Sequence, residues 1–161
     1  MAIDYFLKID GIPGESTDSK HSGEINISSW SWGETQATGP ETGPGGGVGK
    51  VSMQDFRISK AVDKTSPRLM LACASGQHVK DAVLSCRKVG GIPKDFLTIT
   101  LTEVTVSSYE IAGNSGAAID PTDQFALHFA KIEFNYVQQK PDGTMGASTQ
   151  AGWDVKNNKP A

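Results

Sequence analysis

Residues 96–108 read FLTITLTEVTVSS. Leu97, Ile99 and Leu101 alternate with threonines at a period of two, the pattern of a half-buried strand. After Thr102 the alternation slips by one residue, and Val104 and Val106 continue it out of phase. In a regular strand such a slip sends the later apolar side chains to the opposite face. A bulge, which bends the strand, restores the facing. The segment therefore predicts a long strand bent in its middle.

The same slip recurs three times. In EINISSWSWGE (24–34), Ile25 and Ile27 are followed by Trp30 and Trp32. In KVSMQDFRISK (50–60), Val51 and Met53 are followed by Phe56 and Ile58. In QFALHFAKIEFNYV (124–137), Phe125, Leu127 and Phe129 are followed by Ile132, Phe134 and Tyr136. Four such strands predict a curled sheet or barrel. Burial of both faces, one in the core and one against another subunit, is a compatible alternative. IDYFLKI (3–9) and AVLSCRKVG (82–90) add two more strands, and AGWDVKNN (151–158) a short last one anchored by Trp153. Residues 11–23, 111–123 and 139–150 are rich in Gly, Pro and Ser and predict loops.

One segment, DKTSPRLMLACASGQ (63–77), predicts a helix over about 66–75. Ser66 is the expected N-cap, Pro67 the first helical residue and Gly76 the stop. Leu69, Ala72 and Cys73 form its apolar stripe.

At 161 residues the chain is expected to form one domain, 1–161. Its net charge of −3, with Lys and Arg scattered, argues against nucleic acid as a partner. No stretch approaches the ~20 apolar residues of a membrane helix, so no membrane insertion is expected. MAIDYFLKIDG at the N-terminus lacks the features of a signal peptide. The expectation is a cytoplasmic protein that, if exported, uses a route without one. Cys73 and Cys86 read as thiols rather than a disulfide.

GPGGGVGK (43–50) invites comparison with a phosphate-binding loop, G-x-x-x-x-G-K-[ST]. Pro44 stands where the first glycine belongs, Val51 where the hydroxyl belongs, and a strand pattern follows instead of a helix. Residues 39–49 hold six glycines and two prolines, and predict a long loop that orders against a partner.

No metal, cofactor or catalytic residue is expected. His21, His78 and His128 are far apart, with His21 and His78 read as loop residues and His128 as a polar strand residue. No G-x-S-x-G elbow is present, and Ser75 beside His78 fits a helix end better than a nucleophile. Trp30 and Trp32 read as core or interface anchors rather than a sugar platform. The uncharged rows Thr98, Thr100, Thr102 and Ser52, Gln54 fit a subunit interface or a wet channel.

The chain resembles the hemolysin-coregulated protein (Hcp) family, the inner-tube proteins of type VI secretion systems. The markers run in order: GIPGES (11–16), WSWG (30–33), GGGVGKVSMQD (45–55), DKTSPRLMLACASGQH (63–78), RKVGG (87–91), VTVSSY (104–109), YVQQKPDG (136–143) and GWDVKNN (152–158). The resemblance implies a compact β-barrel of two sheets with one flanking helix and an extended Gly-rich loop. It also implies six-membered rings that stack into a tube, are driven out by a contractile sheath behind a spike protein, and in some members carry effector proteins inside. Ser31, between the two tryptophans, is then the candidate lumen and effector contact. Gly39, Pro40, Glu41, Thr42, Gly43, Pro44, Gly45, Gly46, Gly47, Val48 and Gly49 form the candidate ring-stacking loop. Trp30, Trp32 and Trp153 are the candidate core or interface anchors. The alternatives are a tail-tube protein of a phage-like contractile particle and, in another class, a small hydrolase or lectin.

Overall fold

The computed structural model describes residues 2–37, 49–116 and 118–161. Its elements are β1 (Ile3–Ile9), β2 (Ile25–Ile27), β3 (Ser29–Ser31), β4 (Glu34–Thr35), β5 (Ser52–Met53), β6 (Phe56–Ala61), α1 (Ser66–Ser75), β7 (His78–Lys88), β8 (Lys94–Ala112), β9 (Thr122–His128), β10 (Lys131–Gln139), β11 (Met145–Asp154) and β12 (Lys159–Pro160). Ten strands form one antiparallel sheet, ordered β12-β11-β10-β8-β7-β1-β2, with β9, β6 and β3 joined in turn to β8. The hairpin of β4 and β5 is a separate small sheet.

Every slip in the sequence is a break or a bend. β8 runs unbroken through its slip because Glu103 takes a left-handed φ of 52°. Leu101 and Val104, on either side, are both buried. The strand opposite breaks at the same level: β10 pairs with the first half of β8, and β9 with the second. The amide of Ala130, between them, donates to the Thr102 carbonyl at 2.9 Å. Residues 25–31 use their slip to change partner, pairing with β1 through β2 and with β6 through β3. The sheet thus curls back on itself, but among the described residues its ladder does not close into a barrel.

The helix lies where predicted, ended by Gly76 at φ 65°. Its N-cap is Thr65 rather than Ser66, and no side chain caps it. Ser66 is recruited elsewhere: its hydroxyl donates to Asp123 Oδ2 at 2.6 Å and accepts from the Asp63 amide at 3.1 Å. Residues 139–150 are only partly loop, since β11 starts at Met145. The stretch MGASTQAG hides its strand character because it lies near the sheet edge and its side chains stay mostly exposed.

Lys60 of β6 is fully buried and anchors the helix to the sheet. Its ammonium donates to Asp123 Oδ2 at 2.9 Å, Asp63 Oδ1 at 3.0 Å and Ser66 Oγ at 3.1 Å. Tyr109 of β8 donates to the same Asp123 oxygen at 2.8 Å. Burial first, and Asp123 second, push the Tyr109 hydroxyl up to about 12, so it keeps its proton. Four elements, β6, β8, β9 and α1, meet in this knot. Lys60→Ala leaves the Asp123 carboxylate buried without its cation, a loss of about 3–5 kcal/mol. Urea unfolding should show that loss, and replacing Lys60 and Asp123 together with apolar residues should recover much of it.

Candidate functional site

Ser31 lies on the outward face of a four-stranded patch, β3-β6-β9 and the second half of β8. Register places Ser31 beside Arg57, Arg57 beside Ala126 and Ala126 beside Ser108. The next row is Ser29, Ser59, Gln124 and Glu110. These residues line one shallow polar groove. Alternation along each strand sends Ile58, Phe125 and Leu127 inward and leaves small polar groups outside. The surface offers many hydroxyls and two formal charges, Arg57 and Glu110.

The two uncharged rows lie elsewhere. Thr98 and Thr100 line a different groove with Glu133, Asn135 and Gln150. Ser52 sits in the β4–β5 ladder opposite Thr35. These rows and Ser31 therefore do not make one surface.

The tryptophans divide into two environments. Trp30 stacks on Phe56 at 5.5 Å and meets Tyr5 edge-on at 6.1 Å, so it seals the core. Trp32 donates its indole N–H to the Gln54 carbonyl at 2.9 Å and meets Phe134 edge-on at 5.7 Å. Trp32, Phe134 and Trp153 line an apolar groove of about 580 Å³ with Met53, Val51 and Ile132. It opens between the β4–β5 hairpin and the β10–β11 pair, directly under the glycine loop's attachment. Of the candidate loop only Gly49 is described, and its Cα faces Gln36 and Ala37. Gly39 to Val48 lie outside the described residues.

The histidines have roles the sequence did not reveal. His21 is buried and bridges Glu24 and Asp95 at 2.9 and 3.0 Å; it is no free loop residue. His78 opens β7. His128 bonds Asp55 Oδ1 at 2.9 Å, while Ser107 donates to Asp55 Oδ2 at 2.7 Å. A nucleophile needs the imidazole between serine and carboxylate. Here the carboxylate is in the middle, so the trio ties the β5–β6 break, the β8–β9 register shift and the end of β9 together. Burial pushes the Cys86 thiol up to about 12, with Asp95 adding to it, which leaves it unreactive. Cys73 and Cys86 are both free thiols.

Among the described residues no helix is long and apolar enough to cross a membrane. A family model for the type VI secretion system effector Hcp matches residues 6–136. Protein hcp1 of Pseudomonas aeruginosa is 43% identical over 160 residues, 98% of each chain. A solved structure of a type six secretion system protein has a TM-score of 0.93 at 30% identity, covering 99% of this chain and 100% of that one. Hcp1 from Salmonella typhimurium has a TM-score of 0.81 at 35% identity, with complete coverage of both chains.

The contrast between Trp30 and its neighbour is measurable by chemical unfolding. Trp30→Ala should cost about 3 kcal/mol through the stack it leaves empty. Ser31→Gln, on the open face, should stay within about 0.5 kcal/mol of the parent.

Proposed function

The chain belongs to the Hcp family of type VI secretion proteins, and from that premise we propose that it forms six-membered rings that stack into the tube and carry effectors in the lumen. The family is one of structural, secreted tube proteins rather than enzymes. The observation that carries the proposal is similarity over 98% of each chain to protein hcp1. Two features of the fold support self-assembly. β11 pairs with β10 along its length, but with β12 only at Trp153 and Asp154. The rest of that edge, from Met145 to Gly152, has no charged residue, whereas monomers protect such edges with charge or proline. The aromatic groove beside it is a second apolar surface.

On this proposal Ser31, with Arg57, Ser59 and Gln124 around it, faces the lumen. Residues 39–49 reach the adjoining ring, where glycines permit close approach of two backbones. The contractile sheath and the spike protein are the remaining partners, and export proceeds without a signal peptide.

Light scattering on a sizing column is the direct test. Six copies of the 17.1 kDa chain give about 103 kDa, with annular particles in negative stain. A monomer at all concentrations would overturn the ring. Deleting Gly45, Gly46 and Gly47 should leave that mass unchanged and shorten the stacks; loss of the ring itself would move the loop to the intra-ring contact. Ser31→Gln should keep the ring and reduce co-purified effector.

A further inference from the structure

Residues 11–24 contain no helix or paired strand, yet the segment is closely fastened. Its backbone closes on itself through Gly14 to Gly23 and Ser16 to Glu24 hydrogen bonds of 2.8 and 3.0 Å. A Cβ at Gly14 would collide with the carbonyl of Glu24. Two ionic clamps then fix it to the sheet. In the first, the Arg87 fork of β7 donates to both oxygens of Asp18, at 2.9 and 2.7 Å, and to Asp4 of β1 at 3.2 Å. In the second, His21 reaches Asp95 at the start of β8. Phe6 of β1 joins the two, stacking on the His21 ring at 4.3 Å and lying under the Arg87 guanidinium at 4.8 Å.

The second clamp has a chemical requirement that the first lacks. Both ring nitrogens of His21 face carboxylate oxygens, Nδ1 on Glu24 at 2.9 Å and Nε2 on Asp95 at 3.0 Å. A carboxylate only accepts, and a neutral imidazole carries a single N–H. Only the imidazolium can donate to both. Neutralising the ring leaves a lone pair pointing at one carboxylate, and one bond must open. Glu24 sits three residues away and its side chain is 14% exposed, whereas Asp95 is 37% exposed and turns more readily into water. The β7–β8 ladder is already weak there, with a register shift between Cys86 and Arg87.

We propose that His21 is a protonation-dependent latch on the β7–β8 turn, closed as the imidazolium and released at Asp95 when the ring is neutral. The turn, residues 89–93, contains two left-handed glycines, Gly90 and Gly91, and the exposed apolar Val89 and Ile92. Release of Asp95 loosens the β8 end of this turn. The 11–24 segment stays in place on release, because Arg87 holds it through Asp18. Burial pulls the His21 proton affinity down, but the bonds to Asp95 and Glu24 outweigh it, and the net shift is upward. The latch is thus fully present below the ordinary imidazole value and lost as pH rises through the raised one. Around the ring, Arg87 holds Asp18 well below the usual carboxylate range, and Asp18 first and Asp4 next hold Arg87 above its usual range. Those two keep their charges throughout, and the groups that face the imidazole directly are Glu24 and Asp95. The inference does not depend on the six-membered assembly.

Hydrogen–deuterium exchange on the full chain, corrected for intrinsic rates, tests it from about pH 6 to about pH 9. Peptides spanning 89–97 should lose roughly tenfold in protection, the loss of one charge-assisted bond. Peptides spanning 12–19 and 131–137 should stay flat. His21→Gln should abolish the step. Asp95→Asn, at a more exposed site that tolerates change, should also remove most of it while leaving the fold intact. A flat wild-type profile over 89–97, or an undiminished step in Asp95→Asn, would overturn the latch.

Discussion

Glu103 sits at φ 52°, a conformation that disfavours an L side chain by about 1–2 kcal/mol. It does so because Leu101 and Val104 must both face the core, and no straight strand can deliver residues an odd number apart to one face. The strained residue turns the chain by half a pleat. Once β8 is bent, its neighbours must bend or break beside it. β7 follows the bend in register, burying Val79 opposite Val104 and Ala82 opposite Leu101. The 122–139 segment divides into β9 and β10 on either side of the bend. From this one level the sheet splits into two arms. One arm, through β9, β6 and β3, carries Ser31 and Arg57. The other, through β10 and β11, carries the aromatic groove.

The bend was legible because hydrophobic alternation reports facing directly, and an error of phase cannot be hidden. The helix was legible for a similar reason, since Pro67 and Gly76 mark its ends. β11 was not. A strand near the edge has one neighbouring strand to satisfy along most of its backbone and no core to fill, so Gly146, Ala147 and Ser148 carry no periodic signal. The N-cap of α1 misled for a different reason. Ser66 has the right chemistry for a cap, but the buried ammonium of Lys60, six residues earlier in the chain, competes for its hydroxyl.

The same limit applies to the site. That Ser31 faces away from Trp30 was legible, because strand parity sends neighbours to opposite faces. Lys60, His21 and Arg87 were not, because their partners Asp123, Asp95 and Asp18 lie many residues away in the chain. Nothing in a local window separates a lysine that ends in water from one that ends in a knot of carboxylates. Local hints were at His21, flanked by Asp18 and Glu24 at three residues on either side, and at Lys60, with Asp63 three residues on.

Many of the fold's close ion pairs lie inside or beneath its loops, which changes the chemistry of what remains outside. Lys60 is held between Asp63 and Asp123 in the core, and Arg87 between Asp18 and Asp4 beside residues 11–24. The Ser31 face is left with hydroxyls, an amide and one charge of each sign. Hydroxyls exchange hydrogen bonds with water at little net change, so such a wall neither grips nor repels a polypeptide strongly. On the proposed function this suits a lumen that must hold different proteins in succession. Discrimination among them would then fall on Arg57 and Glu110, whose guanidinium and carboxylate alone on that face distinguish an acidic surface from a basic one.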